Sequence, residues 1–180
     1  MFEETLKLVV ALAERRPTPR LPRRLGALFA QLAATTDPLE AGETEDMIWA
    51  LWMQHPRPEV EDKLDHATRA IAARDWDAAE GLLDELVVEA PDFAEAWNKR
   101  ATLYFLQKRD AESVADIRRT LELEPRHFGA ICGFAQICLR HRDRAAAMFA
   151  FDAALRINPH LASVRTAMSE LATEGGRTVH

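Results

Sequence analysis

Pro91, Pro125 and Pro159 stand 34 residues apart in the chain, and so do the small residues Ala67, Ala101 and Ala135. A fixed period of this length arises when one supersecondary unit cannot bury its apolar face alone and stacks on copies of itself. Within each period the apolar residues recur at helical spacing in two runs of about twelve to fifteen residues. Short polar turns near Arg74-Asp75, Lys108-Arg109 and Arg142-Asp143 break the runs, and each proline follows the second run, where a helix cannot continue. The spacing predicts an all-α solenoid of helix–turn–helix units over 60–93, 94–127 and 128–161. A closing helix from Ala162 to about Thr173 has a polar outer face, as the end of a stack needs. Residues 174–180, starting Glu174-Gly175-Gly176, read as a stop and a flexible tail.

Residues 1–58 lie outside the period and form a helical extension with expected helices at about 2–15, 23–34 and 38–54. Pro17, Pro19 and Pro22 make a hinge after the first helix. Asp37-Pro38-Leu39-Glu40 is a strong helix start, with a capping side chain and a proline suited to the first turn. His55-Pro56-Arg57-Pro58 ends the extension. The pair at 23–54 is expected to cap the first unit, with Trp49 and Trp52 as core anchors; an exposed Trp49 acting as a contact hot spot is the sharper alternative. The first helix is amphipathic and is expected to extend the stack at its front, packing in a groove being the alternative.

The net charge of −6 is unevenly spread: residues 37–92 carry sixteen acidic and four basic side chains, a balance of −12. Such a segment is a solvated face, or steers a basic partner, or receives the positive leader. A nucleic-acid partner needs a basic stripe, which the chain lacks. No stretch approaches the ~20 apolar residues of a membrane span. Glu3 and Glu4 stand where a signal peptide carries positive charge, so the chain reads as cytoplasmic. Cys132 and Cys138, six apart on one helix, cannot bridge. The six histidines show no metal-ligand spacing, and the His127–Cys132 pair is too loose for base and nucleophile. No catalytic, metal or cofactor constellation is present in the sequence, and the chain reads as a non-enzyme.

The units resemble tetratricopeptide repeats. Trp97, Ala101, Tyr104 and Pro125 match the family pattern in the second unit, Ala135, Ala147, Phe151, Ala154 and Pro159 in the third, and Ala67, Trp76, Ala79 and Pro91 in the first. Arg74, Lys108 and Arg142 replace the usual turn glycine, and Ser113 and Thr120 stand where alanines are common. The resemblance implies a right-handed solenoid whose first helices line a concave groove. Carried onto this chain, it implies a partner-binding groove of Asp65, Thr68, Glu95, Asn98, Lys99, Thr102, Phe105, Leu106, Gln136, Leu139 and Arg140. Leu64 and Ile71 join Phe105, Leu106 and Leu139 as its apolar floor. An apolar floor with a polar rim suits a peptide or an amphipathic helix of another protein. Self-association through the N-terminal helices, giving a homo-oligomer, is the alternative. The clamp with which some family members hold acidic chaperone tails is not matched, because its positions here are Leu64, Thr68, Lys99, Gly129 and Gly133. The wording of AEAWNKRATLYF and LEPRHFGA is similar to that of a bacterial group with a helical leader, members of which look exported; this implies the periplasm as the alternative compartment.

Overall fold

The computed structural model describes residues 2–18 and 21–176. Its helices are α1 (Phe2–Val10), α2 (Arg24–Ala34), α3 (Pro38–Met53), α4 (Pro58–Ala73), α5 (Trp76–Glu89), α6 (Ala94–Leu106), α7 (Asp110–Leu123), α8 (Phe128–Arg140), α9 (Arg144–Ile157) and α10 (Ala162–Gly176). No strand occurs among the described residues. Two expected boundaries move. The first helix ends at Val10 and tightens into a 3₁₀ turn, Leu12–Glu14, just ahead of the proline segment. Helix α10 runs through the expected stop to Gly176; Pro19 and Arg20 of the hinge and residues 177–180 of the expected tail lie outside the described residues.

The hairpins α4–α5, α6–α7 and α8–α9 stack in a right-handed solenoid, and α10 packs on α9. Ala67, Ala101 and Ala135 are buried where the two helices of each unit meet, which a larger side chain would prevent. The unexpected hydroxyls are satisfied. Ser113 Oγ donates to the carbonyl of Ala101 at 2.8 Å, and Thr120 Oγ1 to that of Asp116 at 2.9 Å. Asp75 and Asp143 cap α5 and α9 by accepting from the amides of Ala78 and Ala146. Arg74, Lys108 and Arg142 take the left-handed backbone, with φ of 60°, 62° and 62°. That conformation costs a residue with a Cβ about 1–2 kcal/mol. A cation past a helix C-terminus recovers about 0.3–1 kcal/mol from the helix dipole.

The extension departs from both expected placements. Helix α1 neither leads the stack nor enters the groove; it lies on α7 and α9, the second helices of units two and three. Phe2 meets the rings of Phe134 and His141 at 6.3 and 5.0 Å, and Arg118 pairs with Glu4 at 3.3 Å. The amide of Thr18 donates to the carbonyl of Leu123 at 2.9 Å, carrying the chain around the end of α7. The α2–α3 pair then packs on units two and three instead of capping unit one. Phe29 lies under the Arg126 guanidinium at 4.4 Å, and a ring nitrogen of His160 bonds the carbonyl of Leu32 at 3.1 Å. Shared burial explains this choice. Leu8, Leu25, Leu28, Leu32, Ile48 and Trp52 join one core with Ile117, Leu121, Phe128 and Phe134. Unit one builds a second core around Val60, Leu64, Leu83 and Leu86, together with Ala96 and Leu103 of unit two. Part of the acidic segment is paired within the repeats, through Glu80–Arg109, Asp84–Arg100 and Glu89–Arg57. Of the leader, α2 packs on the segment's α3, where Gln31 donates to Glu40 at 2.9 Å, while α1 lies elsewhere.

Candidate functional site

Helices α4, α6 and α8 carry the groove residues, and α3 crosses the N-terminal ends of α6 and α8. Trp49, one turn after Glu45, lies over Gly129; a Cβ at that glycine would sit 2.6 Å from Trp49 Cη2. Trp52 stacks on the His127 imidazole with centroids 4.1 Å apart and planes at 9°. Glu45 Oε2 accepts from the buried Asn158 amide at 2.8 Å. These contacts cover the half of the groove nearest the unit seams.

Beneath α3 lies a buried polar cluster. His127 Nδ1 accepts from the amide of Ala130 at 3.1 Å and so caps α8. Its Nε2–H therefore donates to Glu95 Oε2, at 2.8 Å. Asn98 Nδ2 donates to Glu95 at 3.2 Å, and Lys99 pairs with the same carboxylate at 3.2 Å. Burial alone would push the Glu95 carboxyl up, but the His127 bond, with Lys99 and Asn98, outweighs it and holds the group below its ordinary range. Glu95 and Asn98 are thus buried beneath the extension and hold the seam between units two and three. They do not offer themselves to a partner. Leu64 is likewise fully buried in the core of unit one.

The other half of the groove stays open. Thr102 and Leu106 of α6 and Gln136 and Arg140 of α8 are exposed, with Leu106 accessible over 48% of its surface. On α4, Thr68 bonds its own helix carbonyl at Leu64, and exposed Asp65 pairs with Arg69 at 2.7 Å. Lys99 and Leu139 are half-buried. Phe105 is shielded: the Arg140 guanidinium lies 4.0 Å from its ring centroid, bonds its carbonyl at 3.3 Å and pairs with Asp110 at 2.6 Å. The bare apolar surface is therefore Leu106.

His127 and Asn158 were not among the expected groove residues, yet with Gly129 they position the covering helix. Two signals in the sequence pointed their way: the tryptophans spaced i, i+3, and the two glycines on a helix expected to present side chains. Burial, with Glu45 nearby, pushes the Cys132 thiol up to about 12, and burial with Asp143 pushes Cys138 up to about 11.

Fold and groove together define a class of protein, a helical-hairpin solenoid whose concave face is half covered by a hairpin of its own chain. A TPR repeat-containing protein of Rhizobium etli is 32% identical over 171 residues, which are 94% of this chain and 84% of that one. The chain belongs to the tetratricopeptide-repeat proteins, whose repeats serve generally as protein–protein interaction modules. No family model matches the sequence. Among solved structures, the TPR2B domain of yeast Sti1 in complex with pHsp70 matches with a TM-score of 0.59 at 18% identity, over 66% of this chain and 99% of that one. Among the described residues no helix is long and apolar enough to cross a membrane.

Proposed function

We propose that this protein is a non-enzymatic binding module that holds a peptide or amphipathic helix of another protein in the open half of its groove. The supporting observation is Leu106, a large apolar side chain 48% exposed on the concave face. Exposed Thr102 precedes it by one turn on α6, and Gln136 and Arg140 are exposed on α8. An apolar point with a hydrogen-bonding rim is how repeat grooves anchor a short segment. The TPR2B domain of Sti1 holds pHsp70, and a peptide ligand for this chain is the analogous reading. The chemistry of that ligand differs from an acidic chaperone tail. Gly129 lies under Trp49, so a cation at that clamp position would collide with α3. Self-association through the N-terminal helices is not favoured, because α1 and α2 bury their apolar faces within their own chain.

Affinity capture from the native host tests this with Leu106→Asp as the control. Leu106 is exposed, so the substitution should leave the melting temperature within a degree or two. It should remove the captured partner. Equal capture by both proteins would sink the open-groove reading.

A further inference from the structure

Resting on that reading, we infer that the covered half of the groove is a receptor for a partner helix and that α3 is its internal stand-in. The partner carries an acidic side chain followed four and seven residues later by aromatic ones, the pattern that places all three on one helical face. Glu45, Trp49 and Trp52 show what the receptor takes. The buried Asn158 amide donates to the carboxylate at 2.8 Å. Bare Gly129 admits the first indole, and the flat His127 ring stacks on the second.

The occupant fits its seat imperfectly. Thr44 Oγ1 and Trp52 Nε1, both on α3, are buried without a hydrogen-bond partner among the described residues, an arrangement that a better ligand corrects. A cavity of about 260 Å³ remains where α3 faces α8 and α10, lined in part by Glu45, Trp49 and Cys132. The proline-bearing connector 54–57 separates α3 from α4, so α3 can be exchanged for a partner helix without unwinding a helix of the stack. The tether keeps α3 at high effective concentration, so a free helix competes only when it binds better or when α3 is weakened.

A labelled synthetic peptide of residues 37–54, titrated into the full-length protein by fluorescence anisotropy, tests the inference. Wild type should bind it weakly. Trp49→Ala or Glu45→Ala in the chain should tighten binding roughly tenfold or more by freeing the seat. Adding Gly129→Leu to either variant should abolish binding. Glu45→Ala removes two hydrogen bonds, from Asn158 at 2.8 Å and from Trp49 at 3.4 Å, but no buried ring, so it serves if Trp49→Ala fails to fold. Absence of binding to a folded Glu45→Ala chain overturns the proposal, as does equal binding to wild type, Glu45→Ala and the Gly129→Leu proteins. Dimerisation of the wild-type chain by exchange of α3 also overturns it, since the seat would then belong to a second copy. Leu106→Asp should leave peptide binding unchanged, so failure of the open-groove reading shows separately.

Discussion

Arg100 joins three helices through its side chain. Its guanidinium grips Asp116 with two bonds of 2.7 and 2.9 Å, reaches Asp84 at 2.8 Å and lies over the rings of Trp97 and Tyr104. It belongs to the stack. Asp116 is 4% exposed, so removing its cation strands a buried charge. Arg100→Ala should cost about 3 kcal/mol in urea unfolding, while the double change Arg100→Leu with Asp116→Leu should recover most of that loss. A pair worth under half a kcal/mol would mean that the bidentate geometry does little for the fold. Glu95 gives the second residue-scale expectation. Its folded pKa lies below the ordinary 4.5, so the unfolded chain binds the proton more readily. The stability it contributes is complete above that ordinary value and is lost as pH falls through the folded one. Wild type should therefore lose melting temperature more steeply than Glu95→Gln on acidification below about pH 4.5. Parallel curves would refute the assignment. Asp116, raised by burial against the pull of Arg100, has the opposite sign, and it is common to both proteins in that comparison.

At the level of elements, α3 connects what a sequence reveals to what it conceals. Its start was legible because Asp37 and Pro38 are local signals, and the structure has Asp37 accepting from the amide of Leu39. Its seat was not. Trp49 and Gly129 are 80 positions apart and share no period, so only three-dimensional fit joins them. The repeats were readable for the converse reason: the small residues 67, 101 and 135 meet their neighbours at every 34th position, and the period is the contact. Groove residues fall between these cases. Family geometry puts Thr102 and Leu106 in the groove, and both are exposed, but it could not foresee that α3 would bury Glu95 and Asn98. The fit of α3 has a chemical readout in Cys132, which lines the cavity beside Trp49, whereas Cys138 is 1% exposed. Maleimide should label Cys132 several-fold faster in Trp49→Ala than in wild type, because opening of α3 exposes it, while Cys138 stays slow. Equal acceleration at both thiols would mean global loosening.

Across the whole molecule, the extension acts as a structural part of units two and three. Leu8, Val9, Leu12, Leu25, Leu28, Phe29, Leu32, Ile48 and Trp52 are all buried in the core that those units share. Full burial of one such side chain is worth about 1.5–3 kcal/mol, an upper figure since the unfolded chain already hides some of that surface. A protein of this size has roughly 5–15 kcal/mol in total. The three repeats that define the family are therefore not self-sufficient here. Unit one shares the second core with Ala96 and Leu103 of unit two, and only the partly buried Met53 of the extension packs against it, so unit one depends on the extension least. Deleting residues 1–57 should then weaken the stack unevenly. Hydrogen exchange of α7, α8 and α9 should rise toward that of an unfolded chain, while α4 and α5 keep a larger share of their protection. In nearest-neighbour terms, the deletion removes interface energy from units two and three and almost none from unit one. If the truncated chain instead exchanged uniformly faster along all three units, the two cores would be one cooperative body. If α8 kept its full protection, the extension would be a cover over the repeats and not part of their core.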